Sequence, residues 1–434
     1  MTANEFLTRA RNEISDDPNT RLTKLAKNNL GQQDCIIDIH AHIFDKKCLT
    51  VAYILLRMVG NKLLEVMGLE LTEIELLTKS EKEIYDDIEQ KKLNSEQEWK
   101  QLESEIEAVS EIMEASELFG FEIKEALKIL KKKSMLEVLD WYIDTLSVVQ
   151  LPDHVGKPFV SAILMMDLEM GWDIRPKTKF FKQIQELKAI TERRPILPFL
   201  AVDPRRADIK DPKENLYELF FTAFVDTKAP FFGVKCYPAL GYLPSDTRLD
   251  PIFQICEEKN IPVLSHCGSG LISTYKKTID IRNDQGNVKF KIPGNSQVER
   301  ADFLNEPGHW DAVINKYKTL KINIAHFGGN GSWNKWEETG TNERVAKIID
   351  MMEQPNRRVF TDFSFNVVKK EIFNAFQKVM DKHPKVAEKT MFGTDYWVVL
   401  PAGNLLDMQK EFLEQMKDHQ ATLLRSAAMQ YLFS

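Results

Sequence analysis

At 434 residues the chain exceeds the size at which one hydrophobic core usually stops growing, so a large single domain with an insertion, or two domains, is expected. With 43% hydrophobic and 28% charged residues, the composition excludes disordered, fibrous and membrane-embedded classes. A net charge of -7 argues against a general nucleic-acid binder, which carries a basic face, and the run Lys131, Lys132, Lys133 reads as solvated helix surface.

The opening MTANEFLTRARNEISDDPNT lacks the apolar centre of a signal peptide, and no apolar run reaches the roughly 20 residues of a membrane helix. A cytoplasmic location without a membrane partner is therefore expected. Residues 1–33 read as a polar, weakly helical extension. The first strong strand signal is DCIIDIH at 34–40, a short β-branched run that opens a domain extending to residue 434. From 45 to 150 the composition shifts to Leu, Glu and Lys, and EQEWKQLESEIEAVSEIMEASELF places apolar residues three and four apart, which predicts a helical insertion.

Seven further apolar runs follow in order: PFVSAILMM, PILPFLAVD, FFGVKCY, IPVLSH, LKINIAH, RVFTDFS and KTMFGTD. Continuous hydrophobic runs are buried on both faces, as in a parallel sheet, and eight strands alternating with helix-length segments predict an α/β fold, a (β/α)8 TIM barrel. A doubly wound open sheet is the alternative. The 45–150 block then lies after strand 1 and leaves the barrel at its catalytic face, as a lid, a specificity wall, an oligomer contact or a structural appendage. Cys35, Cys48, Cys236, Cys256 and Cys267 are odd in number and form no C-x-x-C pair, so they read as buried thiols.

The chemistry-bearing residues fall at the ends of these strands. His40 and His42 close strand 1, and residues two apart on an extended chain point the same way, so His-x-His can present two imidazoles to one metal ion. His266 ends strand 5, His326 strand 6, Asp362 strand 7 and Asp395 strand 8. Several strand-end positions in phase with one eight-strand scheme point to a metal site.

IIDIHAHIF, PVLSHCG, INIAHFGG, VFTDFSF and MFGTDYW, in that order, resemble the amidohydrolase superfamily. Within it the resemblance is to the amidohydrolase-related branch, which also contains aminocarboxymuconate-semialdehyde decarboxylase. LAVDPRR at 200–206 and GVKCYPALGY at 233–242 add to the likeness, whereas the closing AAMQYLF lacks the Asn-Ala start common in the family's C-terminal helix. The resemblance implies that His40, His42, His266 and Asp395 bind the metal and that His326 stands beside its water. It also implies two roles for Lys235 on strand 4: a carbamate bridging a second ion, as in several binuclear members, or an unmodified cation that pairs with a carboxylate or with a substrate's acidic group.

Three imidazoles and a carboxylate suit Zn2+, Mn2+, Fe2+ or Co2+, with zinc first, and a water held there has its pKa lowered to about 7. Asp395 can take that water's proton, and His326 can polarise the substrate or stabilise developing negative charge. Arg205, Tyr237 and Trp397 are candidate substrate contacts; Arg205 could clamp a carboxylate or form an intraprotein salt bridge, and Arg206 and Tyr242 stand beside these candidates. Asp362 reads as an orienting group. His154, His309, His383 and His419 fall off the strand-end scheme. The expected function is hydrolysis of an amide, ester or lactone of a small molecule. Metal-dependent decarboxylation of an aromatic or unsaturated acid, and a non-catalytic barrel, are the alternatives. A homo-oligomer is compatible with either enzyme.

Overall fold

The computed structural model describes residues 1–45, 47–48, 132–147, 156–172, 176, 178–225, 228–268, 272–274, 276–399 and 404–434. Eight parallel strands form one sheet: β1 (Ile36–Ala41), β2 (Phe159–Leu164), β3 (Ile196–Ala201), β4 (Gly233–Cys236), β5 (Val263–Ser265), β6 (Ile322–Ile324), β7 (Val359–Asp362) and β8 (Thr390–Met391). They pair in chain order. The sheet closes where Ile39 N–H donates to the Phe392 carbonyl (3.0 Å) and Asp395 N–H to that of His40 (2.8 Å). This is a (β/α)8 TIM barrel, and the open-sheet alternative falls because the eighth strand returns to the first.

The strands are shorter than the apolar runs, and the site residues lie mostly just beyond them. His42, His266, His326 and Asp395 all follow the last paired residue of their strand. Part of the reason is local: His326 (φ 63°) and Asp395 (φ 48°) adopt left-handed backbone conformations that cannot continue a ladder.

The lower end of the barrel is sealed by apolar packing. Ile37, Ile39, Val160, Leu164, Leu197, Phe199, Phe232 and Met391 cluster with Leu22, Ala26, Leu30, Tyr431 and Leu432. Two flanking helices supply that lid, Lys24–Leu30 and Ala427–Phe433. They dock at strand N-termini: Asn29 Nδ2 donates to the Phe159 carbonyl (3.0 Å) and the Tyr431 hydroxyl to that of Val263 (2.7 Å). Residues 1–33 are thus part of the barrel's packing. The helix Ala3–Glu13 starts at a capping box between Thr2 and Glu5, and Phe6 packs on Tyr217 and Phe220.

Most of the 45–150 block, and with it the expected placement of the insertion at the barrel mouth, lies outside the described residues. Its last part, Met135–Ser147, is a helix that touches the barrel helix Phe180–Thr191 and buries Val138, Leu139 and Tyr142. An antiparallel hairpin, Thr278–Asn283 with Gly286–Lys291, interrupts the β5–β6 connection. All five cysteines are buried free thiols. Among the described residues no helix is long and apolar enough to cross a membrane.

Candidate metal centre

At the C-terminal ends of the strands, four histidines and two carboxylates converge. His42 Nδ1–H donates to the Leu164 carbonyl (2.8 Å), which leaves Nε2 as a bare lone pair 3.6 Å from Asp395 Oδ1. His40 Nδ1 lies 3.3 Å from Asp362 Oδ2, and its Nε2 faces Asp395 Oδ1 at 4.0 Å and Lys235 Nζ at 3.4 Å. Ser364 Oγ donates to Asp362 Oδ1 and therefore accepts from His326 Nδ1–H (2.9 Å). His326 Nε2 then accepts from His266 Nδ1–H (2.9 Å), and His266 Nε2 is left buried without a hydrogen-bond partner. Asp395 Oδ1 is likewise buried without one. Ligand atoms of His40, His326 and Asp395 all lie within 4.8 Å of one another.

The imidazoles are held neutral, as donors to a cation must be. Burial first, then the charge of Lys235, pushes His42 down to about 3, and burial brings His326 to about 4 despite Asp362. His40 and His266 are lowered further, by burial first and then by Lys235 and by His326 respectively. Burial also lowers Lys235 and raises Asp395, while the attraction between the two opposes both shifts. Burial alone would raise Asp362, but His40, His326 and Ser364 outweigh it and keep the carboxylate ionised. That carboxylate also accepts from Asn323 Nδ2 (2.7 Å) and the His326 amide (3.1 Å), so it orients the imidazoles around it.

Backbone strain gathers at the same end. Of the described non-glycine residues with left-handed φ, His326, Phe327, Phe365 and Asp395 all lie in the loops after β6, β7 and β8. Gly393 lies beneath: a Cβ there would come within 2.8 Å of His40 Cβ and 2.9 Å of Ser364 Cβ, so the residue two before Asp395 has no room for a side chain.

The sequence-predicted residues sort as follows. His42, His266, His326 and Asp395 line one pocket with Tyr237, Met166, Phe365 and Val398, and Tyr237 lies against the His266 ring (centroids 4.2 Å). His40 and Lys235 lie buried against that group. His326 is inside the tightest trio, not only beside it. Arg205 departs from the carboxylate-clamp reading: it grips Asp203 with two nitrogens (2.8 and 2.5 Å) and donates to the Leu240 carbonyl, because an aspartate two residues earlier satisfies the guanidinium fork. Arg206 similarly closes on Asp167 and Glu169. Trp397 falls in the helix Tyr396–Val399, and its side chain lies outside the described residues.

Sequence reasoning missed Asp38, Tyr142 and Ser364. Asp38 accepts from the amides of His40 (2.9 Å) and Thr394 (3.1 Å), the Thr394 hydroxyl (2.5 Å) and the Tyr142 hydroxyl (2.6 Å), while burial raises its carboxyl to about 6. The available signal was Asp-x-His-x-His itself: a carboxylate two residues before the first histidine can bond that histidine's own backbone.

Residues 227–426 match the family model described as Amidohydrolase. The match spans a little under half of the chain and takes in Lys235, His266, His326, Asp362 and Asp395, but not His40 or His42. None of the curated proteins matches the chain. Among solved structures the chain is similar to an uncharacterised TIM-barrel protein from Bordetella bronchiseptica, with 14% identity, covering 69% of this chain and 84% of that one at a TM-score of 0.44. It is also similar to a putative metal-dependent hydrolase from Lactobacillus casei (10% identity, 95% and 98% covered, TM-score 0.43). A third is an amidohydrolase from Burkholderia multivorans with bound zinc (11%, 67% and 88%, TM-score 0.38).

Proposed function

We propose that this chain is a metal-dependent hydrolase of the amidohydrolase superfamily, acting on an amide, ester or lactone bond of a small molecule. The observation that carries the reading is Asp395 Oδ1, a buried carboxylate oxygen without a hydrogen-bond partner, faced by the Nε2 lone pairs of His40 and His42. Unsatisfied buried polar atoms are costly, and a cation satisfies this donor set. His40, His42, His266 and Asp395 are the assigned ligands, with His326 close enough to exchange for one of them. A divalent ion, zinc first, supplies Lewis acidity and a water of lowered pKa.

Around that ion the chain's own groups do the rest. With such an ion held, Asp395 would be the group placed to take a proton from the attacking water and return it to the leaving group. Asp362 and Ser364 fix the His326 tautomer and, through it, the direction of His266 Nε2. With its proton on Nδ1 toward Ser364, His326 presents Nε2 as an acceptor, so its role here is to orient His266 or to take up a proton rather than to polarise a substrate carbonyl. Met166, Tyr237, Phe365 and Val398 give the pocket an apolar wall suited to a small organic substrate.

One observation favours decarboxylation as a second reading. That reaction needs a cation beside the departing carboxylate, and Lys235 Nζ lies 3.4 Å from His40 Nε2, whereas Arg205 is closed on Asp203. Elemental analysis of the purified protein, followed by assay of the zinc-loaded and chelated forms against chromogenic esters, lactones and N-acyl amino acids, tests the first reading. Carbon dioxide release from benzoate-type acids tests the second. Metal-dependent hydrolysis is the expected outcome; carbon dioxide release without hydrolysis would move the assignment to the second reading, and a protein that retains no divalent metal would overturn both.

A further inference from the structure

Asp395 sits in a strained backbone conformation, and the residues on both sides of it are held by the same element, the helix Met135–Ser147 that closes the long block after β1. On one side, the Tyr142 hydroxyl donates to Asp38 Oδ2 (2.6 Å), and Asp38 in turn accepts both the amide and the hydroxyl of Thr394. On the other, Tyr396 packs its ring against Tyr142 (centroids 4.8 Å) and Trp141 (5.7 Å), and its hydroxyl is 3.0 Å from Thr145 Oγ1. Tyr142 and Tyr396 are fully buried.

Asp38 also acts on β1. Its Oδ1 accepts the amide of His40, two residues ahead, and the β1–β2 register is irregular between Asp38 and Ala41. A side chain that captures a backbone N–H in this way takes it out of the ladder, and such an irregularity re-aims the side chains that follow it. His40 lies within it. One carboxylate therefore fixes the angle of His40 and the anchor of Asp395, and among the described residues Tyr142 is the only one of its donors contributed from outside β1 and the Thr394 turn.

We propose that Tyr142 is a positioning residue for the metal centre: acting through Asp38 and Tyr396, it holds His40 and Asp395 in register, and so couples the helix Met135–Ser147 to the site. The inference rests on the metal reading of His40 and Asp395 proposed above. It assigns Tyr142 no contact with substrate.

The test uses the full chain loaded with Co2+, whose visible absorption reports ligand geometry. Tyr142→Phe removes one hydroxyl and keeps the ring. Its cobalt spectrum should differ from wild type, and a chromogenic chelator should extract the metal about 10- to 100-fold faster, the usual size of such outer-contact effects. Tyr431→Phe is the control: it removes a comparable buried hydroxyl, bonded to the Val263 carbonyl at the opposite end of the barrel, and should leave spectrum and release rate unchanged while lowering the melting temperature. If Tyr142→Phe does not fold, Thr145→Val, which loses the bond to Tyr396 together with the hydroxyl's own bond to the Trp141 carbonyl within the helix, is read in the same way. A folded Tyr142 or Thr145 variant with wild-type spectrum and release rate would overturn the proposal while leaving the metal reading intact. A wild-type protein that takes up no cobalt would instead overturn the metal reading itself.

Discussion

The two ends of the barrel are built by opposite rules. At the lower end, helices from the two flanks of the chain press Leu22, Leu30, Tyr431 and Leu432 onto Ile37, Phe199 and Phe232, and the result is an apolar plug. At the upper end the last three of these strands release their chains into left-handed turns, and four imidazoles, a lysine and three aspartates are buried in direct or near contact. Burying so many ionisable groups costs stability unless each is paired, and two of them are left with bare buried atoms. The difference shows where the fold obtains its stability and where it spends some of it on function.

The sharpest way to break this comparison is to remove a proposed metal ligand. His40→Ala or His266→Ala should largely abolish retained metal by elemental analysis, since an incomplete set of donors remains; full occupancy in both would sink the site assignment. Next in size is Asp395→Asn. The amide keeps a neutral oxygen toward the ion but cannot accept a proton, so turnover at matched metal occupancy should fall about 10²- to 10⁴-fold, the usual contribution of general acid–base catalysis. Near wild-type turnover would reduce Asp395 to a ligand and pass the proton to His326.

Substitution at the other end should invert the pattern. Phe199→Ala, at a fully buried ring against which Gly233 packs, should cost about 3–5 kcal/mol by denaturant unfolding. The surviving folded molecules should keep the cobalt spectrum of wild type. A changed spectrum would mean that the two ends are not separable.

The most gradual effects are those of pH on the metal-free protein, and they differ between the ends. His42 and His326 have folded values of about 3 and 4, below the ordinary value near 6.5, so the unfolded chain binds protons first. Unfolding free energy should therefore fall as pH drops through 6.5, by up to about 1.4 kcal/mol per unit for each histidine, and the loss from each should level off below its folded value. At the lower end, burial pushes Lys321, whose ammonium donates to the Leu432 carbonyl, down to about 6. Its contribution has the same sign but a higher window: stability falls as pH drops from the ordinary lysine range toward 6. Lys321→Met should flatten the alkaline part of the curve and leave the acid part in place; a curve unchanged above pH 7 would remove Lys321 from the account.

Much of the barrel was legible because its strands are buried on both faces and so read as unbroken apolar runs. The histidines and Asp395 were legible because they stand where those runs stop. What the runs did not mark is where pairing ends: β8 is only Thr390–Met391, and Asp395 lies in the loop four residues on. The hairpin at 278–291 was overlooked although TIDIRN and NVKFK alternate around Asp-Gln-Gly, because each strand has only one half-buried face and resembles a loop beside the core strands. Arg205 could not be settled from sequence, since its fork fits a ligand's carboxylate as well as that of Asp203. Tyr142 was beyond reach: nothing local ties residue 142 to residue 38, and only the folded helix brings them together.

The closing seam has a consequence for the order of assembly. Asp38 and Thr394 are 356 residues apart, yet their bond joins the first strand to the turn that carries Asp395. A ribosome-bound chain that has not yet emerged through β8 lacks the Asp395 carboxylate and the Thr394 and Asp395 amides that close the ring, however well its first seven strands have paired. On the proposed metal reading, capture of the ion thus comes last, and a metal-loaded molecule would certify that these two distant segments have met. Opening the chain elsewhere, between two outer helices with the present ends joined, would shorten this closure in sequence and, on the proposed metal reading, should let the ion be taken up earlier in refolding.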